Sequence, residues 1–144
     1  MPMLKPPRDI DTVYIAASAK DGRFTRICIA SIRHFYPDVR IRILAGGPLE
    51  PGLAEELERF WDAPISDVRR GDWGWGFVKL EPLFRPTYER FLVLDSDTAF
   101  AGPALEEWST CDADFLVDAE KQTEADTHRL YYDWREVSGI DPTA

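Results

Sequence analysis

Phe91-Leu92-Val93-Leu94-Asp95-Ser96-Asp97-Thr98 is the stretch on which the fold of this chain turns. Four apolar residues stand in a row, with Arg90 before them and Asp95 after. A strand that faces water on one side alternates polar and apolar residues. The unbroken run therefore predicts a strand buried on both faces, central in a parallel sheet. Its carboxyl end delivers two carboxylates separated by one small residue. In open α/β sheets ligands sit outside the carboxyl ends of the strands, which makes Asp95 and Asp97 the first candidates for chemistry. Two oxygen ligands there suit a hard divalent cation, Mn²⁺ or Mg²⁺, that shares its remaining positions with substrate phosphate oxygens. The plainer alternative is a turn, because Asp favours turns and helix caps in its own right.

Upstream, strand and helix patterns alternate. Val13-Tyr14-Ile15-Ala16-Ala17 predicts a first strand ending in the loop Ser18 to Arg23. Phe24, Ile27, Cys28, Ser31, Ile32 and Phe35 recur at three- and four-residue spacing and predict a helix buried along that stripe, stopped by Pro37. Ile41 to Ala45 predicts the second strand, closed by Gly46-Gly47-Pro48. Leu53, Leu57, Phe60 and Trp61 predict a second amphipathic helix, and Ile65 to Val68 a short third strand. The loop Gly71-Asp72-Trp73-Gly74-Trp75-Gly76 leads into Phe77 to Phe84, where Phe77, Leu80 and Phe84 share a helical face. Pro82 lacks an N–H and belongs in the first turn of that helix or at a kink. After the acidic pair come a short helical piece, Leu105 to Trp108, and a further strand at Phe115-Leu116-Val117. This alternation predicts an α/β fold, a mostly parallel sheet with helices on both faces. The expected organisation is a loosely ordered lead-in over 1–11, one domain over 12–119 and a polar tail over 120–144.

At 144 residues the chain supports one domain with a real core. A formal net charge of −9 argues against nucleic acid as a partner, since no basic stripe could offset it. Cys28 and Cys111 lie too far apart for metal-ligand spacing, and Cys28 falls on an apolar helix face, where a free thiol acts as a small core residue. No signal peptide or membrane span is legible, so a soluble, cytoplasmic protein with reduced thiols is expected.

Lys79, sixteen residues before Asp95, follows a Gly-rich loop at a helix start, a position suited to holding a phosphate as well as to an ordinary surface lysine. Lys20 and Arg23, in the loop after the first strand, are further cations that more commonly stay solvated. Trp73 and Trp75 either stack on a base or pack beneath their loop, and aromatic residues mostly serve as buried area. His34, between helix-end aromatics, has a structural reading, and His128 has no metal partner at recognisable spacing.

The Lys79-Leu80 pair, then a helix, then Phe91 to Thr98 resembles the GT-A nucleotide-sugar glycosyltransferases, most closely the glycogenin-like, family-eight members. The first strand and its small-residue end match the same pattern, and the resemblance covers Val13 to Trp108. It implies a Rossmann-like nucleotide-diphospho-sugar transferase fold and hexosyltransferase activity. It also implies that Asp95 and Asp97 hold Mn²⁺ (or Mg²⁺) against the donor diphosphate, with Asp95 near the ribose. Lys79 then contacts the donor, and Ala16, Ala17, Ser18 and Ser96 line the nucleotide pocket. The partners implied are a nucleotide-diphosphate sugar, UDP-sugar in the first instance, and an acceptor of unread identity; a homo-oligomer is a separate expectation. Such enzymes continue for about another hundred residues, with an acceptor site and a metal-binding histidine in a Gly- and Lys-bearing motif. That motif is absent here, so the expectation is a donor-binding half that transfers sugar poorly alone.

Three other readings compete. A nucleotide-sugar-binding module or partner subunit would need the same cleft without transfer. A haloacid-dehalogenase-like phosphatase also ends a strand in Asp-x-Asp, the first Asp acting as nucleophile, but it wants Thr or Val where Ala99 stands. A nucleotidylyltransferase needs an Arg- and Lys-bearing glycine loop that Ala17 to Arg23 does not supply.

Overall fold

Strand β1 (Thr12–Ala17) runs through the middle of a parallel sheet, between β2 (Arg40–Ala45) and β3 (Phe91–Asp95). The computed structural model describes residues 10–66, 76–86, 89–109 and 115. The chain divides into two compact units, Met1–Cys111 and Asp112–Ala144, and every described strand and helix belongs to the first. Helix α1 (Gly22–Phe35) joins β1 to β2, and α2 (Leu53–Trp61) follows β2. A 3₁₀ helix, Phe77–Phe84, precedes β3, and α3 (Leu105–Ser109) comes after it.

The register is unbroken from Thr12↔Arg40 to Ala17↔Ala45 on one side of β1, and from Thr12↔Phe91 to Ala16↔Asp95 on the other. Beyond β2 a single parallel bridge, Ile43↔Ile65, is all that the described residues contain of the third strand expected at Ile65 to Val68. It is held by Ile43 N–H to the Pro64 carbonyl at 3.1 Å and Ser66 N–H to the Ile43 carbonyl at 2.8 Å. The spatial order is thus Ile65, β2, β1, β3.

Among the described residues this order puts β1, and not the Phe91 to Leu94 strand, in the middle of the sheet. No residue of β1 is more than 8% exposed, whereas Phe91 to Leu94 are half-buried and Asp95 is exposed. Both runs are apolar enough for a buried strand. What separates them is the number of neighbours: β1 is paired on both sides, while β3 has one strand partner among the described residues.

Period-two alternation sends β1 side chains to two different layers. Val13, Ile15 and Ala17 meet Cys28, Ile29 and Ile32 of α1, Leu53 and Leu57 of α2, and Leu105 of α3. Tyr14 and Ala16 pack with Leu44 and with Val78 of the 3₁₀ helix on the opposite face. Leu92 and Leu94 reach the first layer, Phe91 and Val93 the second. The result is an α/β fold with helical elements on both faces.

The helix faces differ in detail from the expected stripes. In α1 the buried set is Gly22, Thr25, Cys28, Ile29 and Ile32, while Phe24 and Ile27 are half-exposed. The sheet selects the i, i+3, i+4, i+7 stripe that begins at Thr25, and Phe24 and Ile27 fall on its flank. In α2, Leu53 and Leu57 are buried and Phe60 is 83% exposed. Over Phe77–Phe84 the winding is three residues per turn, so Phe77, Leu80 and Leu83 stack along an exposed edge while Val78 and Glu81 face inward. Pro82 is accommodated inside this short helix and is buried.

At the amino ends of the strands a polar group closes the sheet. Thr12 Oγ1 and Tyr14 OH donate to the Glu89 carboxylate, and Arg85 lies over the Tyr14 ring at 5.6 Å. No described helix is long and apolar enough to cross a membrane.

Candidate functional site

The first strand pair determines where a cleft can open. From β1 the chain moves outward to β2 and Ile65, then returns across to the other side of β1 as β3. The chain after β1 thus goes to one side of that strand and β3 arrives on its other side, a reversal of strand order at which a crevice opens outside the carboxyl ends. A cleft of about 350 Å³ lies there. Ala16 and Ala17 end β1, Gly46 follows β2, and Asp95, Ser96 and Asp97 end β3. Gly76, Val78 and Lys79 contribute from the 3₁₀ helix and its start, and Asp21 and Phe24 from the start of α1. A wider depression of about 620 Å³ lies on α2, around Phe60 and Trp61, and none of its lining residues belongs to a strand.

The acidic turn is built by the ladder and by one buried serine. Ser96 N–H continues the pairing with β1 by donating to the Ala16 carbonyl at 3.2 Å, and Ser96 is buried. Thr98 N–H closes the turn on the Asp95 carbonyl at 3.1 Å. Asp95 and Asp97 emerge on either side of Ser96, both exposed and both lining the cleft. Beneath them the Cys28 thiol contacts the Asp95 carbonyl oxygen at 4.0 Å. Burial, and then the Asp97 charge, push this thiol up to about 12, so it remains neutral.

Lys79 reaches the same turn from the opposite layer. Its Nζ lies 2.5 Å from Asp95 Oδ1, with the two side chains 36% and 52% exposed. The reach depends on the start of the 3₁₀ helix, where Lys79 N–H bonds the Gly76 carbonyl at 3.3 Å and Gly76 holds φ at 89°. Val78, buried against Tyr14 and Ala16, anchors this turn to the sheet.

Six of the residues named from sequence meet in this cleft: Ala16, Ala17, Lys79, Asp95, Ser96 and Asp97. Ser18 does not line it but acts one step away, donating its N–H (2.8 Å) and its hydroxyl (2.6 Å) to Asp21 Oδ2. Asp21, overlooked in the sequence, thus turns its carboxylate back to the loop instead of capping α1. The Ser-x-x-Asp spacing was the available signal, since Asp and Ser favour such local bonds. Phe24 was assigned to the core and instead borders the cleft. Lys20 and Arg23 are exposed and outside it. His34 is exposed and meets the Phe35 ring edge-to-face at 4.8 Å. Trp73, Trp75, Cys111, His128, the tail 120–144 and most of the strand expected at Phe115 to Val117 lie outside the described residues.

Three carboxylates (Asp21, Asp95, Asp97) and one ammonium (Lys79) give the cleft a formal charge of −2. Among the described residues no group of three or more His, Cys, Asp or Glu side chains could hold a metal ion. Two exposed carboxylates fit a hard cation that draws most of its oxygens from a bound phosphate, not one caged by protein. No protein-family model, curated protein or solved structure matches this chain.

Proposed function

We propose that this cleft binds a nucleotide-diphosphate sugar together with a divalent cation, and that the chain is the donor-binding part of a GT-A-type glycosyltransferase. The observation that supports the reading is the meeting of Asp95, Asp97 and Lys79 at the carboxyl ends of two parallel strands, where the strand order reverses. The order Ile65, β2, β1, β3 is that of the first part of a doubly wound sheet, whose ligands are dinucleotides and nucleotides.

Asp95 and Asp97 are the residues that would hold the cation, Mn²⁺ or Mg²⁺. When bound, such an ion neutralises charge on the departing nucleoside diphosphate. Lys79 supplies a second positive group on the same side of the cleft, its backbone held by a helix start. Ala16 and Ala17 present small side chains at the end of β1, so a nucleotide can approach the backbone closely. Asp21, held by Ser18, offers its remaining oxygen Oδ1 as an acceptor for a sugar hydroxyl or a base N–H. The formal charge of −2 repels a bare diphosphate and so favours its entry with a divalent cation. The compartment we propose is the cytoplasm, on the free, buried thiol of Cys28.

Calorimetric titration of UDP and GDP, with Mn²⁺ or with chelator, tests the reading. Cation and nucleotide should each tighten the other by about tenfold or more, and Asp97→Asn should abolish that coupling with the fold intact. Nucleotide affinity indifferent to Mn²⁺ in the wild type would overturn it. Incubation with labelled UDP-sugar then separates the two roles: sugar released to water or acceptor marks a transferase, binding without release marks a module.

A further inference from the structure

Resting on the reading above, we infer that Lys79 is a gate on the cation site: its ammonium occupies Asp95 until a nucleoside diphosphate arrives to take it. The pair Lys79 Nζ to Asp95 Oδ1, at 2.5 Å, is the closest ion pair among the described residues. Asp97, two residues on, has no cationic partner among the described residues. Of the two proposed cation ligands, one is thus already neutralised by the protein's own charge.

A divalent ion arriving alone must displace the ammonium and then remain near it. Both changes oppose binding, because the lysine loses its counterion and two positive groups are brought together. A diphosphate changes the exchange. It offers Lys79 an acceptor with more than one negative charge, and the flexible four-carbon stem lets the ammonium swing to it from a fixed backbone position. Asp95 is then released to the cation. The pair is about one-third to one-half exposed, so breaking it costs little and the exchange is not blocked by burial. Lys79 accordingly makes cation binding depend on the diphosphate.

The consequence runs opposite to that of a plain binding lysine. Removing Lys79 should weaken nucleotide binding and at the same time strengthen binding of the cation alone. The test is electron paramagnetic resonance of free Mn²⁺, titrated with wild type and with Lys79→Met, without nucleotide and with UDP. Lys79→Met should bind Mn²⁺ alone about fivefold more tightly than wild type, the scale of an exposed ion pair. It should bind UDP alone more weakly, and the Mn²⁺–UDP coupling should fall. Lys79→Gln carries the same test if the Met variant does not fold, and circular dichroism checks both. If the wild type couples Mn²⁺ to UDP and neither variant gains affinity for Mn²⁺ alone, the gate is wrong while the proposed site stands. If the wild type shows no coupling, the cation site is wrong and the gate falls with it.

Discussion

The Cys28 thiol sits 4.0 Å from the carbonyl oxygen of Asp95, so the helix that leaves β1 forms the floor of the turn that ends β3. Two further bonds tie the segment after that turn to α1 and its end. Phe100 N–H donates to Ser31 Oγ at 2.9 Å, and Leu105 N–H donates to Tyr36 OH at 3.2 Å. The position of Asp95 and Asp97 is therefore set by contacts some seventy residues back in the sequence, which is a property of the packed α1 layer.

The neutral Cys28 thiol has a pH signature. Its ionisation is pushed from the ordinary 9.0 to about 12 in the folded chain, by burial first and Asp97 second. Below pH 9 both folded and unfolded chains keep the proton, and stability is unaffected. Between pH 9 and 12 the unfolded thiol loses it while the folded one does not, so stability falls as pH rises, by at most about 1.4 kcal/mol per pH unit. Urea unfolding at pH 8 and pH 10.5 should show this loss in wild type and a smaller one in Cys28→Ala. At pH 7.5 the native thiol should resist iodoacetamide and react once urea unfolds the chain.

The order of the strands can be weighed by truncation. Ile15, buried in β1 between two strands, should cost about 3–4 kcal/mol on Ile15→Ala. Leu94→Ala, on half-buried β3, should cost roughly half of that. Equal losses in urea denaturation would contradict the central position of β1.

An acid-sensitive link joins α1 to α2. Arg26 Nε and Nη2 reach the two Glu56 oxygens at 2.7 and 2.6 Å, and Trp61 Nε1 donates to the same carboxylate at 3.2 Å. The Arg26 bonds, then the Trp61 bond, hold the Glu56 carboxyl down from 4.5 to about 2. Stability from this link is present above pH 4.5 and lost as pH falls toward 2. Both side chains are about one-third exposed, so solvent screening limits the effect to about 0.5–1 kcal/mol. Glu56→Gln should be less stable than wild type by that amount at pH 7, and the difference should shrink by pH 2.5, as followed by urea titration at each pH.

Gly76 controls the reach of Lys79. Its φ of 89° is one that side-chain-bearing residues rarely adopt, although a Cβ there would meet nothing within 4 Å. The penalty in Gly76→Ala is therefore conformational, about 1–2 kcal/mol. Relief of that strain should turn the 3₁₀ helix start and separate Lys79 from Asp95. The expected result is a modest loss of thermal stability with a several-fold loss of nucleotide affinity. Unchanged affinity in calorimetry would show that the backbone at Gly76 does not position the lysine.

The acidic turn, the lysine ahead of it and the alternation of strands and helices are legible in the sequence because each depends on local chemistry. An apolar run makes a strand, period three or four makes a helix, and Pro and Gly end them. Asp95 and Asp97 at a strand end, and Lys79 at a helix start, follow from the same local signals. Other features are not local. Val13 to Ala17 and Phe91 to Leu94 look alike as letters, and only sheet order shows that β1 has a strand on each side among the described residues. The helix over Phe77–Phe84 could present either edge, and burial of Val78 against Tyr14 and Ala16 chose the one that leaves Phe77 and Leu80 in solvent. Asp21 joined the cleft because the end of β1 lies beside the end of β3, a neighbourhood set by strand pairing across about eighty residues of chain. The sequence by itself determined which groups stand at the ends of elements. Tertiary packing decided which ends share one cleft, because side-chain burial acts between surfaces that the linear order does not relate.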